Sequence, residues 1–457
     1  MSAGRTSDLK RLIAGRGVLL VSAAAFLLAL TGAWLRPVWH DELYTLALAR
    51  LPIGELVAAL VVDSGPPLHY LLCHLLFVLV GWQEGSMLGT LMVRLPSVLA
   101  FALIPRAVWK ARPVGDRGGL LGPLLTVAWL PLLYFGTEAR AYALLALVNA
   151  LLWIRGPRWI ARGGRWAFCF AVLAACLPLL HYTGLLSFLL LPSLAFFVPR
   201  QRRRFLVLAL ALAALPALAW MPVMLAAPAD SMGWVATDEG PGRPGLATVS
   251  VIAPAGPFPA LFEASVSPVP PWASVLVLGA LIGGAALGAS RLWQNHHADA
   301  VDAQVAFRLT IALLPAVGIA VLAVGGIPVY FAGRTESIVW GLGVAVVVIL
   351  ILRLPPVVRR IIAGSYAVVG MATIAMWFAD LPARPPTPGV EVGFALASMI
   401  EEGDRVVVAG LWQLEVRHGL AQGLLDGSAL TSEAVEVGTL PRSQAEHPGW
   451  LLSLIHI

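Results

Sequence analysis

Three carboxylates, three arginines and a few histidines and tyrosines stand out in a chain that is 59% hydrophobic and only 12% charged. Asp41 and Glu42 follow an apolar run by a few residues, between Trp39 and Tyr44, two side chains that favour a lipid-water boundary. Asp63 precedes "GPPLHY", where paired prolines stiffen the backbone as the chain turns apolar again. Acids held at such a boundary are desolvated and become better proton acceptors, as a general base for a hydroxyl requires. Glu55 and Glu84 read as solvated loop acids.

The elements that must carry these residues are membrane spans. Mean hydropathy is +0.83 over 457 residues, far above that of soluble proteins. The formal net charge of +6 comes from short basic clusters between apolar runs, which points to membrane orientation and away from nucleic acid. Cys73, Cys169 and Cys176 lie in apolar stretches with no CxxC spacing, as buried thiols do. The N-terminal run reads as an uncleaved first span.

A crossing helix needs about 20 apolar residues. Twelve runs approach this, at 17–35, 66–82, 88–109, 118–135, 138–154, 166–181, 184–199, 204–224, 272–290, 306–325, 336–353 and 361–379. Basic clusters at 5–16, 106–117, 155–165, 200–204 and 353–360 belong on the cytoplasmic side. Only two crossings can then join the N-terminus to the 106–117 cluster, although three runs lie between. Run 66–82, short and carrying His69 and His74, is read as interfacial or re-entrant. The expectation is an all-α polytopic protein of about eleven transmembrane helices, N in and C out.

Residues 36–87 become the first outer loop, with short helices implied by Leu43 and Leu46 and by Leu56 and Leu60. A second outer loop, 225–271, is rich in Pro and Gly and too long for a connector. The transmembrane domain is expected over 1–380, a linker over 381–389, and a small α/β extracytoplasmic domain over 390–457, cut short. The final "LSLIHI" is read as non-native, since one reading frame of a sequencing-library transposon end encodes it.

Five short elements follow in order: Asp41-Glu42, "DSGPPLHY" from Asp63, "RLPS" from Arg94, "EARAY" from Glu138, and His181-Tyr182. In type and order over roughly 17–200 they resemble the C-type glycosyltransferases, in the branch of protein O-mannosyltransferases and lipid A aminoarabinose transferases. The resemblance implies inverting transfer of a sugar from a polyprenyl-phosphate donor to a hydroxyl on protein, lipid or glycan. It would take place at the outer face of a bacterial plasma membrane. Asp41 matches the base, with Glu42 and Asp63 beside it. Arg94, Arg140 and Arg334 are the candidates for the donor phosphate, because a guanidinium fork suits phosphate oxygens.

Glu138, Tyr142, His181, Tyr182 and His69 are implied as substrate contacts. No cofactor is required; some relatives hold a divalent metal, for which His40, His69 and His181 with Asp63 or Glu138 are candidates that spacing does not bring together. Where relatives carry a histidine before the prolines, this chain has Ser64-Gly65. The alternative function is a transporter or flippase of lipid-linked sugars, against which stands the lack of internal repeats and of mid-span charges.

Overall fold

The computed structural model describes residues 2–63, 65–83, 85–111, 119–225, 271–294, 300–324, 336–381, 388–399, 405–408, 413–427 and 436–439. Four helices are long and apolar enough to cross a membrane, at Gly15–Leu35, Met87–Ala111, Arg200–Val223 and Pro356–Asp380. The protein is a helical, membrane-associated one. Its first helix, α1 (Ser2–Leu35), packs on α5 (Met87–Ala111), and α5 packs on α8 (Tyr142–Arg162). From there α8 meets α9 (Arg165–Leu180), and α9 meets α11 (Arg203–Leu225). Phe101, Leu132, Leu133, Phe135, Trp153 and Phe170 form the centre of the core.

Several apolar runs do not become one continuous helix, and proline is the reason. Run 118–135 is split into α6 (Leu121–Val127) and α7 (Leu130–Gly136), with extended backbone at Trp129 ahead of Pro131. Proline lacks the N–H that would continue the preceding helix across this point, and it is well suited to the first turn of a new one, where Pro131 lies. The Tyr366 hydroxyl, on the Pro356–Asp380 helix, donates to the Leu125 carbonyl at 2.9 Å, satisfying an acceptor freed near that break. Run 184–199 is likewise divided, into α10 (Thr183–Leu190) and a 3₁₀ turn (Leu191–Phe197) that opens at Pro192. Run 306–325 becomes α13 (Ala300–Ile311) and α14 (Leu314–Val324), with α12 (Pro271–Gln294) preceding them.

Between α1 and α5 the chain makes three short helices, α2 (His40–Arg50), α3 (Ile53–Asp63) and α4 (Leu68–Val80). Thirteen residues in α4 rise only about 20 Å, short of a hydrocarbon core. Helix α2 is held on three sides. Leu43 and Leu46 pack with Cys73, Trp82 and Val93, while Leu48 meets Leu56, Leu60 and Tyr70. Glu42 and Thr45 face inward.

After α15 (Trp340–Ile351) and α16 (Pro356–Asp380), helix α17 (Pro388–Ala397) lies against α18 (Gln413–Gly427). A Cβ at Gly393 would lie 2.0 Å from the Val416 carbonyl oxygen, and one at Gly419 2.0 Å from that of Val390, so only glycine permits this approach. Strands β1 (Arg405–Val408) and β2 (Glu436–Thr439) flank α18 and pair in parallel, Arg405 opposite Glu436. Helix α18 also packs on α2. The 225–271 loop beyond Leu225, most of the 381–389 linker and the final segment lie outside the described residues.

Candidate active site

Asp41 is in the first turn of α2, and its partner comes from the loop between α7 and α8. Arg140 Nη2 lies 2.7 Å from Asp41 Oδ2, and Nη1 donates to the Tyr70 hydroxyl at 2.8 Å. The two charged side chains are 20% and 21% exposed, which leaves the pair within reach of a ligand. Burial disfavours the Arg140 charge, but Asp41, Tyr70, Tyr142 and Glu138 outweigh it and hold its pKa well above the ordinary value.

The loop carrying Arg140 is pinned from two helices. Ser97 on α5 donates to the Arg140 carbonyl at 2.7 Å, and Thr45 on α2 donates to the Ala139 carbonyl at 3.2 Å. A Cβ on Gly136 would meet Phe101 at 2.7 Å, so α7 can approach α5 this closely only with glycine there.

Next to this exposed pair is a second, sealed one. Arg94 is fully buried and directs Nε and Nη2 at the two oxygens of Glu42. Its Nη1 donates to the carbonyls of Ala33 and Arg36, and Nη2 also to that of Pro37. All five N–H groups of the guanidinium are thereby engaged within the protein, and none remains for a phosphate. Arg94, expected at the donor phosphate, is instead bonded wholly within the protein. Glu42, expected beside the base, is 0% exposed and also accepts the Ala139 N–H at 2.8 Å. Burial would raise its pKa, yet Arg94, Arg36 and the Ala139 N–H hold it below the usual carboxylate range. It serves as an anchor for α1, α5 and the 137–141 loop.

His69 is buried, its Nε2 3.7 Å from the Cys73 sulfur. Burial, reinforced by the Arg140 charge, lowers its pKa from 6.5 to about 4. The unfolded chain therefore binds more protons between those values, and stability falls as pH drops through that window. The shift corresponds to about 3 kcal/mol. In detergent, unfolding followed from pH 6.5 to 4.5 is expected to show that loss, and His69→Asn to remove most of it. The loss from Glu42 begins only below 4.5, because its folded pKa is depressed from there.

The Tyr142 and His181 rings meet at a 49° tilt, 5.4 Å between centroids. His181 Nδ1 accepts from the Thr183 N–H at 3.2 Å and lies 2.8 Å from its hydroxyl. Tyr182 is half-buried beside it, and Glu138 is buried just ahead of Arg140. His40 contacts Glu415 on α18 at 3.6 Å, and that carboxylate, opposed by burial and aided by Asp41, raises its pKa above 6.5. The three histidines thus have separate neighbours, and among the described residues no three His, Cys, Asp or Glu gather as metal ligands. The Asp63 side chain and Arg334 lie outside the described residues.

Sequence reasoning did not single out Arg36, Thr45, Tyr70 or Ser97. Arg36 lies 4.0 Å over the Tyr134 ring and donates to its hydroxyl at 2.7 Å. The signal for two of them was present, since Tyr70 closes "DSGPPLHY" and Ser97 closes "RLPS". No protein-family model, curated protein or solved structure matches the chain.

Proposed function

We propose that the protein is an inverting membrane glycosyltransferase that moves a sugar from a polyprenyl-phosphate donor to a hydroxyl acceptor. The observation that carries this reading is the part-exposed Asp41–Arg140 pair, set on a buried frame at the end of the helix bundle. In this mechanism Asp41 takes the acceptor proton as the hydroxyl oxygen bonds to the anomeric carbon. The bond from that carbon to the phosphate oxygen breaks, and the electron pair leaves with the polyprenyl phosphate. Attack opposite the leaving group inverts the centre. Arg140, a guanidinium with its charge firmly held, neutralises phosphate charge as it develops. Tyr70 accepts from Arg140 and helps to orient it, and the Tyr142 ring lies tilted against that of His181.

The reading includes about eleven spans, a cytoplasmic N-terminus, and the site at the extracytoplasmic face of a bacterial plasma membrane. Residues 390–457 form a small α/β unit on that same side, supported by α17, β1, α18 and β2 in order. Protein reconstituted in liposomes with a radiolabelled polyprenyl-phosphate sugar is expected to release polyprenyl phosphate and glycosylate a hydroxyl with inverted configuration. Translocation of intact donor without release, or retained configuration, would exclude this mechanism.

Topology is tested by single cysteines and a membrane-impermeant maleimide. Gln83→Cys is expected to react from outside and Gly115→Cys only from inside. Gly85 is unsuitable, since its φ is +76° and a Cβ would lie 2.6 Å from the Gln422 backbone nitrogen.

A further inference from the structure

Helix α8 connects the Asp41 site to a second cluster of charge. Tyr142 begins the helix beside Arg140, and Arg155 lies thirteen residues further on, about 20 Å along the axis. The charges acting on Arg155 come from Arg158, Arg162 and Arg106, all of one sign. Arg106 is nine residues, about two and a half turns, beyond Ser97 on α5, the helix packed against α8. From a third helix, α13, comes Arg308, within range of the Arg158 charge.

Arg308 differs from the others in its surroundings. It lies in the last turn of α13 between Phe307 and Leu309, with its guanidinium carbon 5.9 Å from the Phe197 ring centroid. Its Nε is buried and has no hydrogen-bond partner among the described residues. An arginine with a buried, unpartnered donor and a second arginine charge nearby is relieved by an anion, because an unpaired buried donor and converging like charges are both costly. A guanidinium fork binds phosphate oxygens well, and basic pockets between helices at a membrane boundary take phosphate headgroups.

We propose that Arg106, Arg155, Arg158 and Arg308 form a binding site for the phosphate of an anionic lipid headgroup, at the end of the bundle opposite Asp41. The site is independent of the glycosyl-transfer reading. Its occupant ties α5, α8 and α13 together at one end, while Glu42 and Arg94 tie α1, α2 and α5 at the other.

The test is native mass spectrometry of the full chain in detergent with phosphatidylglycerol or phosphatidylcholine added. Wild type is expected to retain phosphatidylglycerol preferentially. Arg308→Met and Arg158→Gln are each expected to lower that retention by about tenfold, the loss of one charge-assisted hydrogen bond. Arg204→Gln, which removes the same charge from an exposed position on α11, is expected to leave retention unchanged. Undiminished retention in Arg308→Met, or equal loss in Arg204→Gln, would overturn the site.

Millimolar inorganic phosphate separates the sources. Displacement of the lipid identifies free phosphate as a competent occupant of the same site, and no displacement identifies the lipid headgroup as the one bound. In lipid-free detergent Arg308→Met is expected to unfold at or above the wild-type temperature, since it removes an uncompensated charge. Marked destabilisation would show an internal partner for Arg308 and sink the proposal.

Discussion

Asp41→Asn in the reconstituted protein is expected to lower glycosyl transfer by roughly 10² to 10⁴-fold, the contribution of a positioned general base. Asparagine keeps the size of the side chain and an oxygen that can accept from Arg140, so the 137–141 loop should stay in place. What it loses is the capacity to take the acceptor's proton while the new bond forms. The effect should therefore fall on kcat, with the KM for the donor little changed, because Asp41 does not contact the phosphate in this mechanism. Folding should be nearly unaffected, since the Asp41–Arg140 pair is part-exposed and such pairs contribute modestly. Initial rates with a radiolabelled donor, beside a melting curve of the same preparation, measure both. Transfer at the wild-type rate would remove Asp41 as the base.

Arg94→Met is expected to fail in the opposite way, through stability. It strands the Glu42 carboxylate in a site with no exposure and leaves the Ala33, Arg36 and Pro37 carbonyls without their donor. Removing one partner of a buried pair costs about 3–5 kcal/mol. Arg94→Lys should be nearly as damaging, because an ammonium has three donors where the guanidinium uses five. The double variant Arg94→Met with Glu42→Leu should recover much of the loss by removing the orphaned charge. Thermal unfolding of the three variants in detergent is the measurement. Were Arg94 a phosphate ligand instead, Arg94→Lys would raise the donor KM and leave the melting temperature unchanged.

These two predictions separate neighbours that look alike in sequence. Asp41 and Glu42 are adjacent acids, but one helical step turns them about 100° apart. Glu42 faces α5 and the 137–141 loop, while Asp41 faces Arg140 and Tyr70. Hydropathy could not supply that distinction, because both residues are equally polar and equally close to an apolar run. The same limit affected the arginines. Arg94 and Arg140 both stand at boundaries of apolar runs, and only the structure shows that backbone carbonyls of α1 and the chain beyond it consume the donors of Arg94.

Helix breaks were partly legible, since Pro131, Pro192 and Pro315 stand in the sequence where runs divide. Pro96, Pro105 and Pro157, by contrast, lie inside continuous helices. A proline's effect depends on whether neighbours satisfy the backbone groups it frees, and that is a tertiary matter.

The sequence by itself determined that this is a helical membrane-associated protein and that α2 and α3 are short helices. Apolar run length and leucine spacing are local properties that do not depend on partners. It also marked the residues around which the site assembles, because charge is rare in so apolar a chain. Only the tertiary structure decided which charges stay within reach of a ligand and which are sealed as a frame. Residues 41, 70 and 140 meet, as do 42 and 94, through contacts that span up to 99 positions. Their roles follow from who consumes each hydrogen-bond donor, and that is set by the packing of α1, α2, α4 and α5 against the loop before α8.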